Sequence, residues 1–195
     1  MNISRRSFLQ KSGVAVAATA LLPGCMQESA TSNEILAVQL YCVRDDMVAD
    51  PLGTMKQLAS FGYKYVEHAN YIDRKFYGYT ANEFMKVLND LGLKMPSGHT
   101  VLGRNHWDVA AGDFTDSWKY TLEDAATCGQ EFVISPWMDE SFRTSYDDFM
   151  GLMEIYNKCG ELCQKSGMKF GYHNHDFEFS EKLDDKIIFD LIMQN

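Results

Sequence analysis

The sequence from residue 34 onward predicts an α/β fold, a parallel (β/α) barrel with about five of its eight βα units present. Three observations carry that prediction. A helical pattern, a glycine and a short β-prone run recur along the chain, with the glycines at Gly62, Gly92, Gly129 and Gly167. Each β-prone run ends in polar side chains able to bind a ligand, as at the active end of a closed barrel. No GxGxxG turn follows the first run, which argues against an open dinucleotide-binding sheet. Strict alternation of strands and helices requires a parallel sheet in either case.

The first segment stands apart from this pattern. Ser4-Arg5-Arg6-Ser7-Phe8-Leu9 is followed by an apolar run from Val14 to Leu22 and then by Leu21-Leu22-Pro23-Gly24-Cys25. The apolar run is far shorter than the ~20 residues a membrane-spanning helix needs. Charged start, short apolar run and small residue before cysteine are in export-signal order. The arginine pair resembles a twin-arginine signal and Leu-Pro-Gly-Cys resembles a lipobox. Residues 1–25 are therefore expected to be a signal with lipidation at Cys25, and residues 26–33 a polar linker. The domain would span 34–195, in the periplasm or cell envelope, held to the membrane by a lipid anchor only.

The barrel elements follow in order. Strands are expected at Ile35–Tyr41, Lys64–His68, Lys94–His99, Glu131–Ser135 and Lys169–His173. Asp50-Pro51 starts the first helix, with proline at its first position. Thr80-Ala81-Asn82-Glu83 is a capping-box pattern, followed by Phe84, Val87, Leu88 and Leu91 at helical spacing. Ser145 opens a long helix with Phe149, Leu152, Met153, Tyr156, Cys159 and Cys163 on one side. Left-handed glycine caps end the helices. The pattern stops at Asn195 inside a helical stretch, as expected of the first five units of a longer barrel.

Composition narrows the partners. The formal net charge is −9, and Arg5, Arg6 and Lys11 all lie in the first segment, so the remainder is more acidic still. Nucleic-acid binding is not expected, because a phosphate backbone is held by Lys and Arg clusters. Cys42, Cys128, Cys159 and Cys163 lack zinc-ribbon spacing, and no disulfide framework is expected. The oligomeric state is left open.

The chemistry concentrates in Tyr172-His173-Asn174-His175-Asp176-Phe177-Glu178-Phe179. Strand alternation would put Gly171, His173 and, in a strand that persists, His175 on one face, with Glu178 beyond at the rim. Two imidazoles and a carboxylate so close suit a divalent metal or shared proton transfer. A polar strand end satisfied by its neighbours is the plainer alternative. Glu67, His99 and Trp137 end other strands, where they would bind sugar hydroxyls or stack on a ring; structural roles stay open for all three. His106 and Trp107 fall on a loop above the same face.

This stretch resembles the sugar phosphate isomerase/epimerase family, whose fold is the xylose isomerase-like TIM barrel. Val38-Gln39-Leu40-Tyr41-Cys42-Val43-Arg44, Gly62-Tyr63-Lys64-Tyr65-Val66-Glu67 and Ser97-Gly98-His99 match its first three strands, so the resemblance covers about residues 35–195. It implies a divalent metal (Mn, Co, Mg or Zn) gripping vicinal oxygens of a sugar or keto-sugar, with proton transfer beside the carbonyl. By resemblance Glu178 is the metal ligand, with His173 competing for that role, and His175 is the substrate-facing or proton-transfer group. The family's remaining ligands come from strands six to eight, so this chain alone is expected to hold metal weakly and to lack activity. The competing expectation is a non-catalytic carbohydrate-binding lipoprotein. Phosphodiester hydrolysis on damaged DNA is disfavoured by acidity and export.

Overall fold

The computed structural model describes residues 36–195, so the signal, Cys25 and the linker lie outside the described residues. Five parallel strands form the central sheet. They are β1 (Ala37–Gln39), β2 (Tyr65–His68), β6 (Lys94–His99), β9 (Phe132–Ser135) and β10 (Lys169–Tyr172), in the spatial order β1-β2-β6-β9-β10. An antiparallel meander follows β2, made of β3 (Tyr71–Ile72), β4 (Lys75–Phe76) and β5 (Tyr79–Thr80). A hairpin, β7 (Trp107–Asp108) and β8 (Asp113–Phe114), follows β6, and another, β11 (Lys182–Leu183) and β12 (Lys186–Ile187), follows β10. The helices are α1 (Arg44–Ala49), α2 (Pro51–Ser60), α3 (Ala81–Asp90), α4 (Asp116–Thr127), α5 (Tyr146–Lys165), α6 (Phe177–Ser180) and α7 (Ile188–Gln194). Among the described residues no helix is long and apolar enough to cross a membrane.

Local chemistry explains most boundaries. At the start of α3, Glu83 N–H donates to Thr80 Oγ1 and Thr80 N–H to Glu83 Oε2 (2.9 Å), so both halves of the capping box form. Asp50 caps α2 by accepting from Gly53 N–H at 2.9 Å, and Ser145 caps α5 by accepting from Asp148 N–H at 3.1 Å. Gly92 and Gly129 end their helices at φ 66° and 76°, the left-handed region where a Cβ is penalised. The buried stripe of α5 is the one its sequence spacing predicts: Phe149, Leu152, Met153, Tyr156, Cys159 and Cys163.

Three expectations need correction. The first helix does not begin at Asp50-Pro51. A 3-10 turn at Leu40–Val43 cuts β1 short, and α1 follows it, with Asp45 and Asp46 in the first turn where the helix dipole favours negative charge. The fifth strand ends at Tyr172, so His173 and His175 stand on the loop beyond it; one further ladder bond, His173 N–H to Ser135 O (3.0 Å), guides the chain out. Glu178 is not at an open rim: it lies in α6 and is fully buried.

The apolar residues gather in two clusters. One, around Met47, Met55, Val66, Phe84 and Met95, serves β1, β2 and β6; the other, around Trp118, Val133, Phe149, Leu152 and Met168, serves β9 and β10. Each fully buried large side chain contributes roughly 1.5–3 kcal/mol. Trp118 also donates its indole N–H to Cys159 Sγ at 3.3 Å, which satisfies the polar atom of an otherwise apolar burial. Cys128, Cys159 and Cys163 are buried and Cys42 is exposed, all as free thiols.

Candidate active site

Parallel pairing sets the strand ends level: Gln39 lies beside Glu67, Glu67 beside Ser97, and Tyr172 beside Ser135. The level ends make a cleft of about 580 Å³ lined by Gln39, Tyr41, Cys42, Glu67, Ala69, His99, Pro136, Trp137, His173 and His175. Five residues singled out in the sequence, Glu67, His99, Trp137, His173 and His175, thus meet in one place. Glu178 does not reach that surface.

The first wall is a directional chain of hydrogen bonds. Tyr41 N–H donates to Gln39 Oε1 at 2.7 Å, which fixes the amide so that Gln39 Nε2 donates to His99 Nδ1 at 3.1 Å. His99 then carries its proton on Nε2, 3.1 Å from Glu67 Oε1. Ser97 Oγ donates to the other oxygen, Glu67 Oε2. Burial opposes the charge on Glu67, but the hydrogen bonds from His99 and Ser97 outweigh it and hold the carboxyl below its ordinary value.

His68, next along β2, points the other way. It is buried against Phe76, at 4.8 Å between centroids, and its Nδ1 has no hydrogen-bond partner among the described residues. Burial, with His99 adding to it, pushes its imidazole down to about 3. Gly98 is required beneath it, since a Cβ there would lie 1.9 Å from the ring.

The second wall is aromatic. His173 lies 5.0 Å, centroid to centroid, from both His99 and His175, and Trp137 meets His175 edge-on at 5.2 Å. Burial, then the proximity of His99 and His175, lowers the His173 pKa below its usual 6.5, so the ring is uncharged at neutral pH. The loop is held from behind. Glu178 accepts from Tyr172 Oη with one oxygen and from His175 N–H, at 2.7 Å, with the other. Burial and that bond to Glu178 raise the Tyr172 phenol.

These residues do not by themselves fit a divalent metal. Among the described residues no group of three or more His, Cys, Asp or Glu stands together as a ligand set, and both Glu178 oxygens are already engaged inside the protein. Sequence reasoning missed the part of Gln39 in orienting His99; its place at a strand end was visible, but the partner depends on inter-strand register. Tyr41 and Cys42 were likewise not singled out for the site: the expected strand ran to Tyr41, whereas a 3-10 turn at Leu40–Val43 brings both to the cleft.

A parallel sheet with helices between its strands and polar residues at its C-terminal edge is the architecture of a βα barrel, and comparison with known proteins gives the family. The xylose isomerase-like TIM barrel family matches residues 55–187, and the chain belongs to that family. A sugar phosphate isomerase/epimerase from Parabacteroides distasonis is 26% identical, over 86% of this chain and 63% of its own, with a TM-score of 0.71. A second protein so described from the same organism, 24% identical over 82% of this chain and 64% of its own, has a TM-score of 0.68 and supports the fold. The chain thus spans less than two thirds of the length of these structures. No curated protein matches it.

Proposed function

We propose that the protein is an exported, lipid-anchored sugar or keto-sugar isomerase or epimerase that moves a proton beside a carbonyl, or a lyase working through the same proton transfer. The observation that carries the proposal is the meeting of the oriented His99–Glu67 pair with an uncharged His173 across 5.0 Å. In this scheme Glu67 and His99 hold sugar hydroxyls and Trp137 covers an apolar face of the ring. His173 takes the proton from the hydroxyl-bearing carbon beside the carbonyl, and the electron pair moves onto the carbonyl oxygen to give an enediolate. Transfer of the hydroxyl proton to that oxygen, with return of the carbon proton to the former carbonyl carbon, leaves the second oxygen as the new carbonyl and gives the isomer; return of a proton to the opposite face of the original carbon gives the epimer, with His175 as the second proton carrier. A positioned acid–base pair of this kind contributes roughly 10²–10⁴-fold.

The engagement of both Glu178 oxygens favours a second possibility, a carbohydrate-binding lipoprotein without catalysis. The deciding experiment follows loss of the C–H signal of ketopentoses and ketohexoses in deuterium oxide by NMR, with and without added Mg, Mn, Co or Zn. Exchange that disappears in His173→Ala supports the enzyme. Sugar binding without exchange, indifferent to chelator, supports the binding protein.

A further inference from the structure

Beside the main cleft lies a second of about 530 Å³, and the two share Ala69 and His99 in their walls. It is formed where the meander after β2 leans on α4. Each cleft alone is roomy enough for one sugar ring, so together they make a groove longer than a monosaccharide. Its lining mixes polar groups, among them Asn70, Asp73 and Ser117, with exposed apolar side chains: Ile72 is 62% exposed, Tyr120 43% and Val101 41%.

Its one cation is already neutralised. Arg74 donates to both Asp124 oxygens, at 2.7 and 3.0 Å, and to Glu123 at 3.0 Å, while its guanidinium lies over the Tyr120 ring at 4.2 Å. A bidentate pair of this kind leaves little of the charge for an incoming phosphate. Among the described residues, no Lys or Arg lines the main cleft. The groove does offer a fixed neutral donor: Gly103 N–H donates to His106 Nδ1 at 3.1 Å, which puts the His106 proton on Nε2. Burial lowers the His106 pKa and keeps the ring uncharged.

We propose that this second cleft receives a neutral second ring, so that the substrate class is an uncharged keto-glycoside, its carbonyl on the ring held in the main cleft, rather than a free monosaccharide or a sugar phosphate. The proposal rests on the sugar-handling role of the main cleft, and it adds a subsite in which Ile72 and Tyr120 pack against the ring on the far side of the glycosidic bond. Sugar and aryl rings share the required chemistry, an apolar face with no charge.

The test measures dissociation constants on the full chain for methyl and para-nitrophenyl glycosides of glucose, galactose and xylose, for cellobiose, and for glucose phosphate. The two-ring ligands are expected to bind about tenfold more tightly than the methyl glycoside of the same sugar. Ile72→Glu, on an exposed hairpin where folding is not at stake, and Tyr120→Ala should each remove most of that factor and leave the methyl glycoside unchanged. Equal binding of one-ring and two-ring ligands, both weakened by Trp137→Ala, overturns the second subsite and leaves the sugar-handling role standing. Tighter binding of glucose phosphate than of the methyl glycoside overturns the neutral substrate class. Binding of none of these sugars overturns both.

Discussion

On the β2–β6 side of the cleft, polar side chains from adjacent strands lock one another from the front, through Gln39, His99, Glu67 and Ser97. On the β10 side the histidines stand on a loop and are locked from behind, by a buried carboxylate that never meets the ligand space. One wall carries a charge held in place by partners; the other presents imidazole kept uncharged by burial. The difference teaches how a fold divides labour: strand register is rigid enough to orient a charged pair, whereas a loop needs an internal anchor before its side chains can be placed.

The comparison breaks most visibly at the anchor. Glu178→Ala leaves the Tyr172 hydroxyl and the His175 N–H without their partner in the interior, which should cost about 3 kcal/mol in chemical denaturation and free the histidine loop. Glu178→Gln, which keeps the shape and an acceptor, should cost less. Gly98→Ala attacks the other wall by driving a Cβ into His68, with an expected loss of about 1–3 kcal/mol. Combining it with His68→Ala should recover part of that loss.

A third change separates the walls by pH. His68 is folded uncharged with its pKa near 3, against 6.5 unfolded, so the unfolded chain binds the extra proton between those values. Its contribution to stability is complete above pH 6.5 and drains away as pH falls toward 3. Replacing it by Leu should flatten the acid limb of the stability curve by about 1.4 kcal/mol per pH unit. Glu67, lowered from 4.5, acts only in a more acidic window: its contribution is present above 4.5 and is lost as pH falls through its folded value. The smallest effect expected is that of Gln39→Leu. It should cost about 1 kcal/mol or less and show itself as a mixed His99 tautomer in nitrogen NMR shifts, with His173 unmoved.

Much of the frame was legible in the sequence because it rests on local signals. Thr80 with Glu83, Asp50 before Pro51, and glycines at the ends of helices each act through atoms a few residues away. The meander and hairpins were not legible. Their turns place Asp73-Arg74, Tyr77-Gly78 and Asp184-Asp185 at positive φ, a region open to glycine and more accessible to Asp than to most residues, but one that Arg74 and Tyr77 enter because the surrounding fold compels them. In the site, alternation and strand ends found Glu67, His99 and His173, because being at a strand end is a property of sequence position. Depth is not: Glu178 reads as a rim carboxylate until α6 turns it inward. The Gln39–His99 bond joins residues from separate strands, and only β2 lying between β1 and β6 brings them together.

The boundary between the two apolar clusters runs between β6 and β9, and the cleft sits astride it, with Gln39, Glu67 and His99 on one side and Trp137, His173 and His175 on the other. Clusters that share few side chains can open separately, and native-state hydrogen exchange should then resolve two classes of amides with different opening free energies. His99 and His173 belong to different classes. Opening along that boundary would widen the gap between them, and a ligand that bridges it should slow exchange in both halves at once, joining two cooperative units into one.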